Sequence, residues 1–267
     1  MMDLVGELTV TRVRRLTPRM VRVSFAAPAD FQPWPDQQLK LCFPPGDELV
    51  LPPSEGDDMR WYQAFLAIPE EKRPVMRGFT VRRHDPARGE IDIDFVLHGA
   101  AGPAVRWART AAPGQVLGRY GPSEYYRRPL PPGDWHLLAG DATAIPAIGS
   151  LLESLPGSAR ALVFISAADE LPLPSPATVD IRWLPGTPLL DAVRAASFPA
   201  GAVSAWLAGE AGVVRSLRRH LVGERSVPKG AIEFTGYWRR RLTQDDAPTA
   251  EDMADAQEKL AQARGEV

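Results

Sequence analysis

Cysteine is nearly absent from this sequence, since Cys42 is the only one in 267 residues. One thiol cannot form an internal disulfide, and the chain alone cannot supply the cysteine ligands of a zinc site or an iron–sulfur cluster. Cys42 lies within an apolar segment, residues 39–43, and we predict that it is a small buried residue on a strand.

Long apolar runs and an excess of positive charge are missing as well. No stretch of about 18 residues is apolar enough to span a membrane, and the first residues lack the apolar core of a signal peptide. Lysine and arginine total 31 against 33 acidic residues, for a formal net charge of −2, which argues against nucleic-acid binding. We therefore expect a monomeric cytoplasmic protein without a membrane segment.

The pattern Gly-x-Gly-x-x-Gly is also missing, which argues against an ordinary dinucleotide-binding dehydrogenase. The sequence does have the composition of a globular protein, with 45% apolar and 24% charged residues, and is long enough for two modest domains. A proline-rich segment at residues 127–133 marks the boundary between them. We predict a β-barrel over residues 1–131, an α/β domain over 132–242 and a helical tail over 243–267.

Short segments of the first half mix β-branched and charged residues in partial alternation, with proline and glycine turns between them. These segments are residues 6–16, 20–26, 39–43, 76–83, 90–97 and 116–120. Six short strands with almost no helix between them predict a small closed barrel. Residues 44–74, which are rich in proline and acidic side chains, are expected to form an irregular excursion.

In the second half, apolar strand patterns alternate with helical ones. The strands are predicted at residues 135–140, 160–166, 179–183, 203–208 and 232–237, and the helices at 143–155, 189–196 and 211–222. This alternation predicts a doubly wound parallel sheet. A helix from Thr249 onward has only a thin apolar stripe, which favours a position on the surface of the body.

The strongest local pattern is the strand segment Arg77-Gly-Phe-Thr-Val-Arg82. Because alternate residues of a strand share a face, a cofactor lying along it could meet an aromatic ring, a hydroxyl group and guanidinium groups. Those are the groups that suit a flavin nucleotide. From spacing alone, a barrel strand with exposed arginines and one core phenylalanine is an equally good interpretation.

A second pattern covers residues 94–107, where a strand ends in a glycine-rich turn and a helix begins at Pro103. Backbone N–H groups at such a helix start can bind phosphate. His98 taken alone indicates a structural histidine, and Trp107 taken alone indicates a core residue. The glycine-rich turn is weak evidence by itself.

Together the two segments resemble the flavin-binding motifs of siderophore-interacting proteins, a branch of the ferredoxin reductase-like flavoenzymes. Similar motifs follow the family's order across residues 5–242. They are Lys40-Leu-Cys-Phe-Pro44, Leu138-Ala-Gly-Asp-Ala-Thr-Ala-Ile-Pro-Ala147, Trp206-Leu-Ala-Gly-Glu-Ala211 and Gly236-Tyr-Trp-Arg239. The sequence departs from the family at Phe79, where tyrosine is usual, and at Ala142, where glutamate is usual. The resemblance implies a six-stranded Greek-key flavin-binding barrel joined to a nucleotide domain, as in ferredoxin–NADP reductase.

The resemblance also implies roles for the barrel residues toward FAD. Thr80 would face the reactive edge of the flavin, and Phe79 would pack on its ring, with Val81 beside them on the strand. Arg77 and Arg82 would hold the phosphates. The residues expected to wrap the pyrophosphate and adenosine are His98, Gly102, Pro103, Ala104 and Val105.

In the second domain, the resemblance places the nicotinamide nucleotide at the ends of the strands. Asp141 and Thr143 would lie at the first strand-to-helix turn, Gly209 and Glu210 would face the nicotinamide, and Tyr237 and Trp238 would close over the cleft. A site for an anionic siderophore should hold cations. The candidates are Lys40, Arg127, Arg128 and Arg239, with Arg240 and Arg241 beside them.

The function implied is that of an FAD-dependent ferric-siderophore reductase that takes electrons from NADH or NADPH and needs no acid or base residue. Asp169 and Glu170 favour NADH, because a carboxylate suits a free ribose, but solvated loop acids are nearly as good an interpretation. Ferredoxin replaces NAD(P)H in some relatives. The alternatives are a flavin reductase or ferredoxin-coupled reductase with another acceptor, and a non-catalytic siderophore-binding module.

Overall fold

The structure is a computed structural model that describes residues 5–27, 31–46, 48–53, 58–97, 102–121, 129–242 and 246–263. The chain divides into two compact units. The first consists of Met1–Pro129, Ile145–Leu155 and Asp169–Pro176, and the second of Leu130–Ala144, Pro156–Ala168 and Ala177–Val267. Among the described helices, none combines the length and apolar character that a membrane crossing needs.

The first unit is built around a closed barrel of six antiparallel strands. They are β1 (Val5–Thr17), β2 (Met20–Ala26), β3 (Gln38–Phe43), β4 (Val75–Asp85), β5 (Glu90–Val96) and β6 (Val116–Tyr120). The strand order is β1-β2-β5-β4-β3-β6. Because β3, β4 and β5 follow one another as hairpin partners and β6 returns beside β3, this is the predicted Greek-key barrel.

Strand alternation separates an apolar barrel interior from an ionic outer wall. Phe25, Leu41 and Ile93 are fully buried in the interior, where each such side chain contributes about 1.5–3 kcal/mol. On the outer wall Arg22 makes a bidentate pair with Asp94, at 2.6 and 2.8 Å. Cys42 is buried on β3 as predicted, and burial raises the pKa of its thiol to about 12.

The interpretation of residues 44–74 as wholly irregular is wrong, because α1 (Asp58–Leu66) lies within them. Trp61 and Phe65 are one helical turn apart and stack with their ring centroids 5.3 Å apart. Trp61 also stacks on Tyr120 at 4.8 Å, and both helix residues are buried with Val5 in a small core of their own. This apolar pair, spaced four residues apart, is the signal that the proline-rich context concealed.

The second unit contains a parallel sheet of five strands. They are β7 (Trp135–Asp141), β8 (Arg160–Ser166), β9 (Thr178–Trp183), β10 (Val203–Glu210) and β11 (Ile232–Trp238). Their order is β11-β10-β7-β8-β9, so the chain winds outward from β7 in one direction and then crosses to β10 to wind in the other. The winding reverses between β7 and β10, as predicted for a doubly wound sheet.

Helices α2 (Pro103–Thr110), α3 (Ile145–Ser154), α4 (Leu189–Ala195) and α5 (Ala211–Gly223) occupy the predicted positions. A short 3-10 turn, Ala142–Ala144, leads from β7 into α3. On α5 an apolar face is buried through Val214, Leu217 and Leu221, which pack in the same core as Leu207 and Phe234 of the sheet. The apolar residues of α5 recur with the 3.6-residue period of a helix, and this places them all on the buried face.

The tail forms α6 (Ala250–Ala263), which is held by charge rather than by its apolar stripe. Arg215 pairs with Glu251, Asp252 and Asp255, and Arg218 pairs with Glu258. Met253 and Leu260, from the apolar stripe, are 51% and 43% exposed. The helix lies on the surface of its unit as expected, but with its acidic face turned inward.

Candidate functional site

Strand β4 carries the predicted flavin segment, and its alternation divides the segment between two faces. Phe79 packs on the barrel core with its ring centroid 4.5 Å from that of Phe95, and Val81 belongs to the same core. Thr80 and Arg82 occupy the alternate positions and are buried outside that core cluster. The aromatic ring of Phe79 and the hydroxyl group of Thr80 therefore lie on alternate faces of β4.

An open patch of strand surface lies at Gly78, between Arg77 and Phe79. A Cβ atom placed on Gly78 would meet nothing closer than the Gln38 side-chain oxygen at 4.0 Å. Lys40 of β3 is the register partner of Gly78 and is exposed. Arg77 donates from Nη1 to the Met76 carbonyl oxygen at 2.8 Å. This patch offers room for a flat ring beside a cation.

Arg82, which the resemblance assigned to the FAD phosphates, is tied to α3. Its Nη2 donates to Glu153 Oε1 at 2.6 Å and its Nη1 to Oε2 at 3.1 Å. Only 6% of Arg82 is exposed, and a Cβ on Gly149 would lie 2.8 Å from its Nε, so the guanidinium fits closely against the helix. A phosphate at Arg82 would have to share the guanidinium group with Glu153.

The start of α2 presents the second part of the predicted flavin site. Gly102 is the N-cap residue, and Pro103 opens the helix as predicted. Glycine supplies no side-chain acceptor to the first-turn N–H groups of Ala104 and Val105, and such groups at a helix start suit an anion. A Cβ on Gly102 would meet nothing within 4 Å, which shows open space there. His98 lies outside the described residues.

The barrel residues provide surfaces for both parts of a flavin nucleotide, the ring system and the pyrophosphate. The open strand surface at Gly78 suits a ring system, and the uncapped helix start at Gly102 suits a pyrophosphate. Thr80 and Lys40 add a hydroxyl group and a cation on β4 and β3. The residues present therefore fit FAD, although Arg82 is already paired with Glu153.

The six residues predicted for the nucleotide domain belong to one edge of the sheet. Asp141 ends β7, Glu210 ends β10 and Trp238 ends β11, so all three stand at the carboxyl edge where β7 and β10 diverge. Ligands of open α/β sheets bind at such a point of reversal. Thr143 follows in the 3-10 turn, and Gly209 and Tyr237 precede the strand ends.

Asp141 connects these elements through its side-chain carboxylate. Oδ1 accepts hydrogen bonds from Thr143 N at 2.9 Å and from Thr143 Oγ1 at 2.5 Å. Oδ2 accepts from Glu210 N at 2.8 Å and from the Trp238 indole Nε1 at 2.8 Å. One half-buried carboxylate therefore ties the ends of β10 and β11 to the turn that follows β7.

Gly209 makes the approach of Asp141 possible. Its φ is +135°, a conformation that favours glycine, and a Cβ there would lie 2.5 Å from Asp141 Oδ2. Glu210, the next residue, caps α5 because its Oε2 accepts a hydrogen bond from Val213 N at 2.9 Å. Its Oε1 accepts from Arg240 N at 3.3 Å. Both residues thus have structural tasks that the sequence did not predict.

Tyr237 and Trp238 turn to opposite sides of β11, as strand alternation requires. The Tyr237 ring packs edge-on to Trp206, with their centroids 6.5 Å apart. The Trp238 side carries the bond to Asp141, and 39% of this residue is exposed. Trp238, one of the two aromatic residues predicted to close over the cleft, is therefore joined to the Asp141 cluster.

Of the predicted siderophore residues, Arg239 is described and is bound by the tail. Its Nη1 donates to Asp252 Oδ2 at 2.9 Å and to the Ala247 carbonyl oxygen at 3.2 Å, and its Nη2 donates to the Asp246 carbonyl oxygen at 3.1 Å. Arg240 and Arg241, which follow it, are exposed. Arg127 and Arg128 lie outside the described residues.

Asp169, which favoured NADH in the sequence analysis, is engaged within the first unit. Its Oδ2 accepts hydrogen bonds from Thr17 Oγ1 at 2.8 Å and from Arg19 N at 3.2 Å. Glu170 is exposed. Asp169 therefore holds the turn between β1 and β2, and a ribose would have to compete with these hydrogen bonds.

Two family models match this chain, one in each half of the sequence. Residues 9–126 match the model of the siderophore-interacting FAD-binding domain, and residues 133–241 match the model of the siderophore-interacting protein. Among curated proteins, the ferric vibriobactin reductase ViuB of Vibrio cholerae is 34% identical over 253 residues, which cover 87% of this chain and 89% of ViuB.

Solved structures agree with this assignment. A siderophore utilization protein from T. fusca is 35% identical with a TM-score of 0.73, covering 91% of this chain and 95% of its own. The siderophore-interacting protein SipS from Aeromonas hydrophila is 28% identical with a TM-score of 0.74, covering 97% of this chain and 99% of its own. The ferredoxin reductase of carbazole 1,9a-dioxygenase shares the fold, with 17% identity, a TM-score of 0.62, and coverage of 88% and 67%.

Proposed function

Because this chain belongs to the siderophore-interacting protein family, we propose that it is an FAD-dependent reductase that releases iron from ferric siderophores with electrons from NADH or NADPH. The observation that carries the proposal is the cluster of predicted nucleotide-site residues around Asp141, at the reversal point of the sheet. The similarity to ViuB, which is named a ferric vibriobactin reductase, supports the same reaction class.

The chemistry of FAD suits this task, since a flavin accepts a hydride from a nicotinamide and passes electrons on singly to iron. The protein contributes binding and orientation. Thr80 and the exposed patch at Gly78 would meet the ring, and the N–H groups of Ala104 and Val105 would bind the pyrophosphate. His98 stays a predicted contact. No side chain needs to donate or remove a proton at iron.

In this proposal the nicotinamide nucleotide binds at the carboxyl edge of the sheet, beside Trp238. The siderophore residues remain Lys40, Arg127, Arg128 and Arg239. Lys40 is the simplest to test, because its side chain is exposed on β3. Arg239 would have to release Asp252 before it could hold an anion.

The first experiment is anaerobic visible spectroscopy of the purified protein supplied with FAD. We expect flavin bands that bleach with NADH or NADPH and return when a ferric siderophore is added, while an Fe(II) chelator develops colour. Absence of flavin bands after FAD addition would overturn the proposal. Bleaching by reduced ferredoxin alone would replace the donor, and turnover of dyes or quinones without ferric siderophores would replace the acceptor.

A matched pair of lysine variants tests the siderophore contact. Lys40→Gln should raise the KM for an anionic ferric siderophore several-fold and leave bleaching by NAD(P)H unchanged, because only the electrostatic attraction for the acceptor is lost. Lys72→Gln removes an exposed lysine of the same unit outside the barrel strands and should change neither quantity. Equal effects of both variants would attribute the change to overall charge.

A further inference from the structure

We propose that Asp141 is a positioning residue that holds the Trp238 indole at the carboxyl edge of the sheet, rather than a residue that contacts the nicotinamide nucleotide. Its influence on the donor would act through Trp238. That part of the inference rests on the proposed function. The positioning itself stands on the contacts of Asp141 within its own unit.

Asp141 has no lone-pair position left for a nucleotide. A carboxylate offers two oxygens with about four lone-pair positions. Asp141 already accepts four hydrogen bonds, two at Oδ1 from Thr143 and two at Oδ2 from Glu210 N and Trp238 Nε1. A carboxamide or a ribose hydroxyl group could bind Asp141 only by displacing one of these donors.

Asp141 is held by the backbone frame and in turn holds the Trp238 side chain. Glu210 N is a backbone group of β10, and Thr143 is fixed in the turn after β7, so two of the three partners belong to the rigid frame. Trp238 is the partner whose side chain reaches solvent, with 39% exposure. Since the bond to Asp141 fixes one end of the indole, the frame determines where this exposed ring stands.

A similar carboxylate bond joins the opposite, amino ends of β7 and β10. Asp134 Oδ2 accepts a hydrogen bond from Ala202 N at 2.7 Å, directly after Gly201, whose φ is +103°. A Cβ on Gly201 would lie 2.7 Å from that oxygen, as one on Gly209 would lie 2.5 Å from Asp141. The link from a carboxylate to the next strand is therefore present at both edges, and the indole bond belongs to the carboxyl edge.

The experiment is a double-mutant cycle with Asp141→Asn and Trp238→Phe. An asparagine keeps the shape but turns an NH2 group toward two of the four donors, and phenylalanine keeps a ring without its N–H. We expect each single variant to raise the Kd of NADH or NADPH about tenfold, and the double variant to raise it no further. FAD content and reduction by dithionite should stay at the wild-type level.

A fluorescence readout tests the positioning without flavin or nicotinamide. The chain has seven tryptophans, so acrylamide quenching of Trp238 is obtained as the difference between each protein and its Trp238→Phe counterpart. Asp141→Asn should increase the quenching of Trp238 at least twofold. Asp134→Asn is the matched control, because it removes the acceptor at the other edge, and it should change neither Trp238 quenching nor nucleotide affinity.

Several outcomes would overturn the inference. Additive effects in the cycle would mean that Asp141 acts on the nucleotide directly. Unchanged quenching in Asp141→Asn would mean that the Trp238 indole keeps its position without the Asp141 carboxylate. If Asp141→Asn does not fold, Trp238→Phe alone decides the nucleotide part, and wild-type affinity in it would refute that part. If the wild-type protein binds neither NADH nor NADPH, the proposed function fails, while quenching still decides the positioning.

Discussion

The two ends of the β7–β10 strand pair are joined in the same way, by an aspartate that accepts a backbone N–H group after a glycine of positive φ. At the amino end the residues are Asp134, Gly201 and Ala202. At the carboxyl end they are Asp141, Gly209 and Glu210. A Cβ atom on either glycine would collide with the carboxylate of the neighbouring aspartate, so both positions favour glycine.

The difference lies in what each carboxylate does beyond that link. Within the part of the chain that the structure describes, Asp134 accepts a hydrogen bond from the backbone of the next strand, whereas Asp141 also accepts hydrogen bonds from the Thr143 hydroxyl group and the Trp238 indole. The carboxyl end is also where the winding of the sheet reverses. The comparison teaches that the shared link is a structural device, and that the added side-chain partners distinguish the edge proposed to bind the donor.

Alanine at the two glycines should have the largest effect. Gly209→Ala and Gly201→Ala each force a positive φ on a side chain, at a cost of about 1–3 kcal/mol, and each displaces a carboxylate. We expect both to lower stability similarly in urea unfolding, and only Gly209→Ala to weaken NAD(P)H binding. Equal loss of nucleotide binding in both would remove the functional distinction between the edges.

The next effect is expected at Glu210, which has a task that the amino end lacks. Glu210→Ala removes the side-chain cap of α5 and should cost about 1 kcal/mol. Amide exchange should quicken at Val213 and Val214 in the first turn of α5. Because the Glu210 backbone N–H still reaches Asp141, Trp238 quenching should stay near the wild-type value. A large change in quenching would show that the cap and the indole are coupled.

Acid should release the tail that is anchored just beyond the carboxyl end. Partial burial alone would raise the pKa of Asp252, but hydrogen bonds from Thr249 and Arg215 lower it to about 2. A lowered folded-state pKa stabilises docking above the ordinary value of about 3.9, and that stabilisation is lost as the pH falls toward 2. Limited proteolysis of the tail should therefore accelerate between pH 4 and about 2, and Asp252→Asn should accelerate it already at neutral pH.

The smallest effect is expected on the outward side of the tail. Met253→Ser and Leu260→Ser change residues that are 51% and 43% exposed, so stability should change by less than about 0.5 kcal/mol. Arg215→Gln is the contrasting variant, since it removes the partner of three carboxylates. Thermal unfolding would compare them, and a larger loss in the serine variants would show that the apolar stripe is covered in solution.

The barrel and the sheet could be predicted from the sequence because the spacing of apolar residues in each strand and helix can be read within a short segment. The apolar face of α5 and the helix start at Pro103 follow from residues within one or two turns. Helix α1 was missed because Trp61 and Phe65 lie among prolines and acidic residues that indicate a loop. The segment around Phe79 was recognised, but its division between two faces follows only from the burial of its neighbours.

The nucleotide-site residues were predicted through family resemblance, and their bonds were not. Asp141 and Trp238 are 97 positions apart, and Asp134 and Ala202 are 68 apart, so no local pattern joins them. The same holds for Arg82, whose pairing with Glu153 across 71 positions changes what it can bind. A sequence shows which groups are available, and the fold decides which of them are already engaged.

The contact between Gly209 and Asp141 also constrains the order in which this protein could change over evolutionary time. Any side chain at position 209 would meet the Asp141 carboxylate. Replacing Gly209 would therefore become less costly once the side chain at position 141 were shorter, but that step would release the indole of Trp238. Three positions distant in the chain would then behave as one coupled unit, so that a change at one alters what the other two can tolerate.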